Sequence, residues 1–100
     1  MSEGLPPVEK EENGGKGRYV LRGPDGAEAE LTFTRVGAHQ LIIDHTGVPH
    51  AFRGQGVGLL LLARAVEDAR GSGRRIIPLC PFAAAQFRRH PEWADVLAAR

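Results

Sequence analysis

The chain has 100 residues, of which 42% are hydrophobic, and its formal net charge at pH 7 is +1. This length suits one domain with a core of ordinary size. The near-neutral charge argues against a nucleic-acid-binding domain, because such domains usually carry a strong basic patch. The single cysteine excludes an intrachain disulfide and a cysteine-based metal cluster.

The two halves of the chain differ in charge. Residues 1–52 hold five Lys/Arg and eight Asp/Glu, whereas residues 53–100 hold eight Arg and four Asp/Glu. The positive half therefore favours an anionic ligand. No apolar run approaches the roughly 18 residues that cross a bilayer, and the first residues lack the basic and apolar regions of a secretory signal. We expect a cytoplasmic protein with no membrane partner.

The first half of the chain predicts a three-strand antiparallel meander. Residues 1–17 are rich in Glu, Gly and Lys and have few apolar side chains, which predicts a disordered tail ahead of a single domain over residues 18–100. Strands are predicted over residues 18–22, 27–36 and 39–48, because apolar and polar residues alternate in them and turn residues separate them.

The second half predicts a crossover helix and a parallel fourth strand. Pro49 ends the third strand, because proline cannot donate to a ladder. A helix from about residue 57 to residue 70 has one narrow polar stripe, and a strand over residues 74–80 follows it, which implies a parallel pairing with the third strand. Short helices complete the chain from residue 82 onward. The predicted fold class is mixed α/β (α+β).

A glycine-rich turn opens the crossover helix. It reads Arg53-Gly54-Gln55-Gly56-Val57-Gly58. Glycines let a ligand approach the backbone, and the first amides of a helix lack intrahelical partners and lie at its positive end. Together with Arg53, these features predict a phosphate or pyrophosphate site. The alternative is a glycine-rich loop that only packs a helix against a strand.

Two of three known phosphate-binding turns do not fit this stretch. A Walker A loop needs Gly-Lys-Ser/Thr, but Leu59 follows Gly58. A dinucleotide-binding fingerprint that starts at Gly54 needs its third glycine at position 59, which is also Leu59. The third candidate, the Arg/Gln-x-x-Gly-x-Gly/Ala turn of GNAT acetyltransferases, fits at every fixed position.

Three further motifs make the resemblance more specific. They are His45-Thr46-Gly47-Val48-Pro49, Pro78-Leu79-Cys80-Pro81-Phe82 and His90-Pro91-Glu92-Trp93. With the glycine turn, they resemble small single-domain GNAT acetyltransferases of the YjdJ type over about residues 18–97. The resemblance implies a minimal GNAT-like fold that binds acetyl-CoA where the strands on either side of the glycine helix splay apart. It assigns the cofactor to Val48, Arg53, Gly54, Gln55, Gly56, Val57, Gly58 and Phe82.

The chain departs from larger GNAT enzymes in its candidate catalytic residues. In larger GNAT enzymes the resemblance leads us to expect a tyrosine on the helix after the last strand, but here that helix offers Phe82, Gln86 and Phe87. Cys80 would lie where the acetyl thioester ends. It could donate a proton to the leaving thiolate, accept the acetyl group as a nucleophile, or be a small buried hydrophobe.

His45 is the nearest candidate for the general base, because its unperturbed pKa of about 6.5 suits proton abstraction. On strict alternation it shares a face with Leu41 and Ile43, so a hydrogen-bonded structural histidine is the alternative. His50 and His90 are weaker candidates. No His, Asp or Glu spacing resembles a metal site.

These patterns predict an N-acetyltransferase that uses acetyl-CoA and acts on a small amine or a protein lysine. The alternative is a coenzyme A-binding or sensing module without turnover. Two arginine pairs, Arg74-Arg75 and Arg88-Arg89, are candidates for the 3′-phosphate of coenzyme A or are solvated surface residues.

Overall fold

A computed structural model describes residues 6–98, which form a five-stranded sheet in the order β1-β2-β3-β4-β5. Neighbouring strands are antiparallel except for β4 and β5, which are parallel. The strands are β1 Glu9–Asn13, β2 Lys16–Arg22, β3 Glu28–Val36, β4 Gln40–Gly47 and β5 Arg75–Pro78. The predicted mixed α/β fold, with its meander and parallel last strand, is confirmed.

Two helices pack with this sheet around one core. They are α1, Val57–Ser72, and α2, Pro81–Arg89, and 3-10 turns occupy Pro24–Gly26, His50–Phe52 and Pro91–Val96. The buried residues of α1 form one cluster with the inward-facing residues of β2, β3 and β4. Gly73 ends α1 in the left-handed conformation, with φ 74°, so the helix extends to Ser72, past its predicted end at about residue 70.

Strand β1 corrects the prediction of a disordered tail over residues 1–17. Residues 9–13 pair with β2 through a complete antiparallel register, from Glu9 opposite Val20 to Asn13 opposite Lys16. All five side chains of β1 are exposed, so apolar periodicity could not reveal this strand. Residues 1–5 lie outside the described part of the chain.

Main-chain pairing and charge hold β1 in place. Arg18 on β2 donates to Glu11 at 2.8 Å, and Arg22 donates to Glu9 at 2.7 Å and to Glu11 at 2.6 Å. One local feature of the sequence indicates the hairpin between β1 and β2. It is Asn13-Gly14, a dipeptide typical of tight hairpin turns, and Gly14 has φ 69°.

The only tyrosine lies in the core, far from the glycine turn. Tyr19 is 1% exposed, and its hydroxyl donates to Asp68 Oδ2 at 2.7 Å. Asp68 is in the polar stripe of α1, where Arg64 also donates to it at 3.4 Å. Tyr19 therefore joins β2 to the C-terminal half of α1.

We expect Tyr19 to stay protonated until the protein unfolds. Burial and the hydrogen bond to Asp68 raise the pKa of Tyr19 well above its usual value. The unfolded chain gives up this proton near pH 10 and the folded chain does not. This group's contribution to stability is therefore complete below about pH 10 and declines as the pH rises above it.

An alkaline titration that follows phenolate absorbance and circular dichroism together measures this directly, since there is one tyrosine. Both signals should change in a single step. Tyr19→Phe should lower the free energy of unfolding by about 1 kcal/mol at neutral pH. Phenolate absorbance near pH 10 in a protein with native circular dichroism would contradict this prediction.

Candidate functional site

The two parallel strands separate at their C-terminal ends. Their register stops where Ile43 lies opposite Pro78, and the Ile43 carbonyl oxygen then accepts from both Leu79 and Cys80 at 3.2 Å. Strand β4 continues to Gly47 without β5 beside it. Crevices at the carboxyl ends of parallel strands are the usual ligand sites of open sheets.

A β-bulge in β4 decides which side chains face this crevice. The β3–β4 register shifts so that Phe33 lies opposite Ile43 and Thr32 lies opposite His45, which leaves Asp44 as the extra residue. His45 therefore shares the outer face with Thr32. The prediction from strict alternation, which placed it with the buried Leu41 and Ile43, is wrong because the bulge reverses the alternation.

The same bulge turns Thr46 toward the inner face, opposite the buried Leu31. Its hydroxyl lies 3.3 Å from Cys80 Sγ, across the gap between the separated strands. Thr46 was not predicted to have a role in the site. Only the shift of one residue in register brings it to this position.

The glycine turn leaves five amides without acceptors among residues 6–98. Arg53 donates to the carbonyl of His50 at 2.9 Å, and Gln55 donates to that of Phe52 at 3.3 Å. The first helical bond starts from Leu60, which donates to Gly56 at 3.0 Å. The five remaining amides belong to Gly54, Gly56, Val57, Gly58 and Leu59.

The three glycines of the turn differ in their roles. Gly54 has φ 81° and Gly56, the N-cap of α1, has φ 69°, and a Cβ on either would meet open space. These two need glycine for their left-handed backbone. Gly58 is helical and buried, and its Cβ would lie 3.0 Å from the Phe82 ring. Gly58 therefore lets α2 approach the first turn of α1.

Val48 and Arg53 border the turn on the strand side. Val48 is 41% exposed, and its main-chain groups have no hydrogen-bond partner in the described residues. Arg53 is exposed, and no carboxylate of residues 6–98 pairs with it. Both are therefore open to a ligand.

Cys80 is 5% exposed and is the N-cap of α2. Its Sγ accepts from the Ala83 amide at 3.4 Å and lies beside the Thr46 hydroxyl. The thiol therefore helps to begin α2 and also faces the gap between the strands.

The imidazole of His45 is exposed, and its ring nitrogens have no hydrogen-bond partner among residues 6–98. The expectation of a hydrogen-bonded structural histidine is thus not met. A Cβ on Gly47 would lie 3.1 Å from His45 Nε2. The ring therefore lies along β4 toward the end of the strand where the crevice opens.

The two arginine pairs differ in their contacts. Arg74 donates to the carbonyls of Gly37 and Gln40 at 3.2 and 3.0 Å, at the end of β5 opposite the crevice. Arg88 and Arg89 are in the last turn of α2 and form no ion pair within residues 6–98. The Arg74 side chain thus stabilises the fold through these carbonyl groups.

Within residues 6–98, no helix has both the length and the apolar character needed to cross a membrane. In this part of the chain, His, Cys, Asp and Glu side chains also do not gather in the groups of three or more that could hold a metal ion.

Comparison with known proteins identifies the family. The family model described as "GCN5-related N-acetyl-transferase" matches residues 18–96. The chain belongs to the GCN5-related N-acetyltransferase family. Membership makes it an N-acetyltransferase, an enzyme of acyl transfer. The crevice and the glycine turn described above agree with this family.

A solved relative has the same fold. It is the NMR solution structure of a "GCN5-like putative N-acetyltransferase" from Staphylococcus aureus, with a TM-score of 0.71 and 33% sequence identity. The alignment covers 92% of this chain and 89% of the Staphylococcus aureus chain. No curated protein matches the chain.

Proposed function

We propose that this family member is an acetyl-CoA-dependent N-acetyltransferase of the small single-domain YjdJ type. The observation that carries the proposal is the row of five partner-free amides at Gly54 and residues 56–59, beside the point where β4 and β5 separate. Amides at a helix N-terminus bind phosphate groups well, because they donate hydrogen bonds and lie at the positive end of the helix dipole.

The site residues fit coenzyme A. Positive φ at Gly54 and Gly56, with open space on both, leaves room for a pyrophosphate against Arg53, Gln55, Val57 and Gly58. Val48 offers free main-chain groups to the pantetheine arm. Phe82, which packs on Gly58, forms the wall toward α2. When bound, the cofactor supplies an acetyl group activated as a thioester.

Two side chains are proposed for the proton transfers. Acetyl transfer needs a base for the acceptor amine and an acid for the departing thiolate. Cys80, in the gap between the strands and next to Thr46, is the proposed acid. His45 is the proposed base, because its exposed ring reaches over Gly47 toward the crevice and no protein atom of residues 6–98 occupies its nitrogens.

One observation favours a second candidate, a coenzyme A-binding module without turnover. Cys80 caps α2, and this structural role alone accounts for its burial. In this case the amides of the glycine turn bind coenzyme A, but no side chain transfers a proton.

Two measurements test the proposal and separate it from the alternative. Acetyl-CoA at one hundred times its dissociation constant should raise the free energy of unfolding by about 2.7 kcal/mol. Release of free thiol in the presence of a panel of primary amines should then exceed release without them. Stabilisation without amine-dependent thiol release would indicate the binding module, and no stabilisation would contradict both functions.

A further inference from the structure

An apolar groove runs beside the end of β5. Its volume is about 740 Å³, within the range of small-molecule sites. One wall is formed by Ile77, Pro78 and Leu79, and the other by Ala84, Phe87 and Arg88 of α2. Leu79 is 64% exposed, the highest exposure among the large hydrophobic residues of the described chain.

The groove approaches the crevice at Pro78 and Leu79, where the pairing of β4 and β5 ends. Leu79 precedes Cys80 directly, and Cys80, Ala84 and Arg88 are spaced four residues apart. This spacing places them along one side of the helix. The helix thus runs from its N-cap beside the crevice toward Arg88, with a rise of about 12 Å over eight residues at 1.5 Å each. Cys80 itself does not line the groove, and Leu79 is the lining residue next to it.

The groove carries charge at its far end only. Among its described lining residues Arg88 is the one charged side chain, and no carboxylate of residues 6–98 pairs with it. Most of the other arginines have partners within the protein. Ion pairs are formed by Arg18, Arg22, Arg35, Arg64 and Arg70, and hydrogen bonds to carbonyl groups are formed by Arg74. An unpaired guanidinium at the end of an apolar groove is suited to a carboxylate.

We propose that this groove binds the acceptor, and that the acceptor is a small amine joined by an apolar chain to a carboxylate. The amine lies at the crevice, the chain lies between Leu79 and Ala84, and the carboxylate pairs with Arg88. The assignment of the amine end rests on the acetyltransferase function proposed above. The carboxylate distinguishes this acceptor from a simple alkylamine or a diamine.

Three amines with the same chain length test the acceptor class. In 8-aminooctanoate the amine and carboxylate are roughly 10 Å apart when extended, by ordinary bond lengths. Octylamine lacks the carboxylate, and 1,8-diaminooctane replaces it with a second cation. The KM should rise in the order 8-aminooctanoate, octylamine, 1,8-diaminooctane, with about a fivefold step for loss of the ion pair.

The matched variants are Arg88→Glu and Arg89→Glu, which make the same charge change on adjacent exposed residues, only the first of which lines the groove. Arg88→Glu should raise the KM for 8-aminooctanoate about fivefold or more and lower the KM for 1,8-diaminooctane. Arg89→Glu should change neither KM.

A binding measurement keeps this proposal separate from the proposed function. Isothermal calorimetry of 8-aminooctanoate with the protein, without acetyl-CoA, should show binding that Arg88→Glu weakens and Arg89→Glu does not. Equal KM values for the three amines, equal effects of the two variants, or no calorimetric binding would overturn the groove assignment. Binding of 8-aminooctanoate without turnover of any amine would overturn the enzymatic proposal and leave the groove as a carboxylate site.

Discussion

Gly56→Val should remove measurable stabilisation by acetyl-CoA. Gly56 is the N-cap of α1 with φ 69°, a conformation that costs a residue with a Cβ about 1–2 kcal/mol and a β-branched residue more. The valine will therefore pull its own φ toward negative values. This movement reorients the free amides of residues 56–59.

The expected loss is large because these amides act together. Each hydrogen bond to a charged group contributes about 1.5–3 kcal/mol, so loss of two of them weakens binding by about 100-fold or more. The measurement is the shift in unfolding midpoint on adding acetyl-CoA, with calorimetry to give the dissociation constant.

Gly73→Val is the matched control. Gly73 is also in the left-handed conformation, with φ 74°, and its Cβ would also meet open space, but it lies at the other end of α1. Both variants should lose similar stability without ligand. Only Gly56→Val should lose the response to acetyl-CoA, and a normal response in that variant would rule out the glycine turn as the pyrophosphate site.

Cys80→Ala should lower the rate of acetyl transfer by about 10²- to 10⁴-fold while binding of acetyl-CoA persists. This is the usual contribution of a positioned general acid. The thiol is 5% exposed, lies 3.3 Å from the Thr46 hydroxyl and faces the gap between β4 and β5. The measurement is kcat for thiol release with saturating amine.

Loss of the helix cap must be separated from loss of the acid. Cys80 Sγ accepts from the Ala83 amide, so alanine also removes a cap, at a cost of about 1 kcal/mol. Cys80→Ser retains an N-cap acceptor but replaces the thiol with a much weaker acid. Both variants should be slow, and serine alone should keep wild-type stability. A wild-type rate in either variant would exclude Cys80 as the acid and favour its structural role.

Local sequence signals predicted most of the fold. Alternation in β3, proline and glycine at the ends of elements, and the apolar face of α1 all depend on residues close in sequence. Strand β1 was missed because its side chains are exposed and the arginines that form ion pairs with it, Arg18 and Arg22, lie beyond a turn. Pairing between strands, and not burial of β1 side chains, orders that segment.

The candidate site also contains residues that the sequence predicted and residues that it did not. Arg53 and the glycines were found from their spacing, because a phosphate-binding turn is formed by consecutive residues. The faces of His45 and Thr46 were not predictable, because the bulge at Asp44 reverses the alternation on which that assignment depended. The groove at Arg88 could not be predicted either, because its walls come from β5 and α2, which meet only in the folded protein.

The sequence by itself therefore determined the fold class, the family and the amide-rich turn, because each rests on short-range patterns of residue type. The tertiary structure decided which side chains meet at the crevice. One extra residue in β4 and the end of pairing at Pro78 bring Thr46 to Cys80 and leave His45 on the outer face. The physical reason is that strand register, which sets these contacts, depends on pairing between strands distant in the chain.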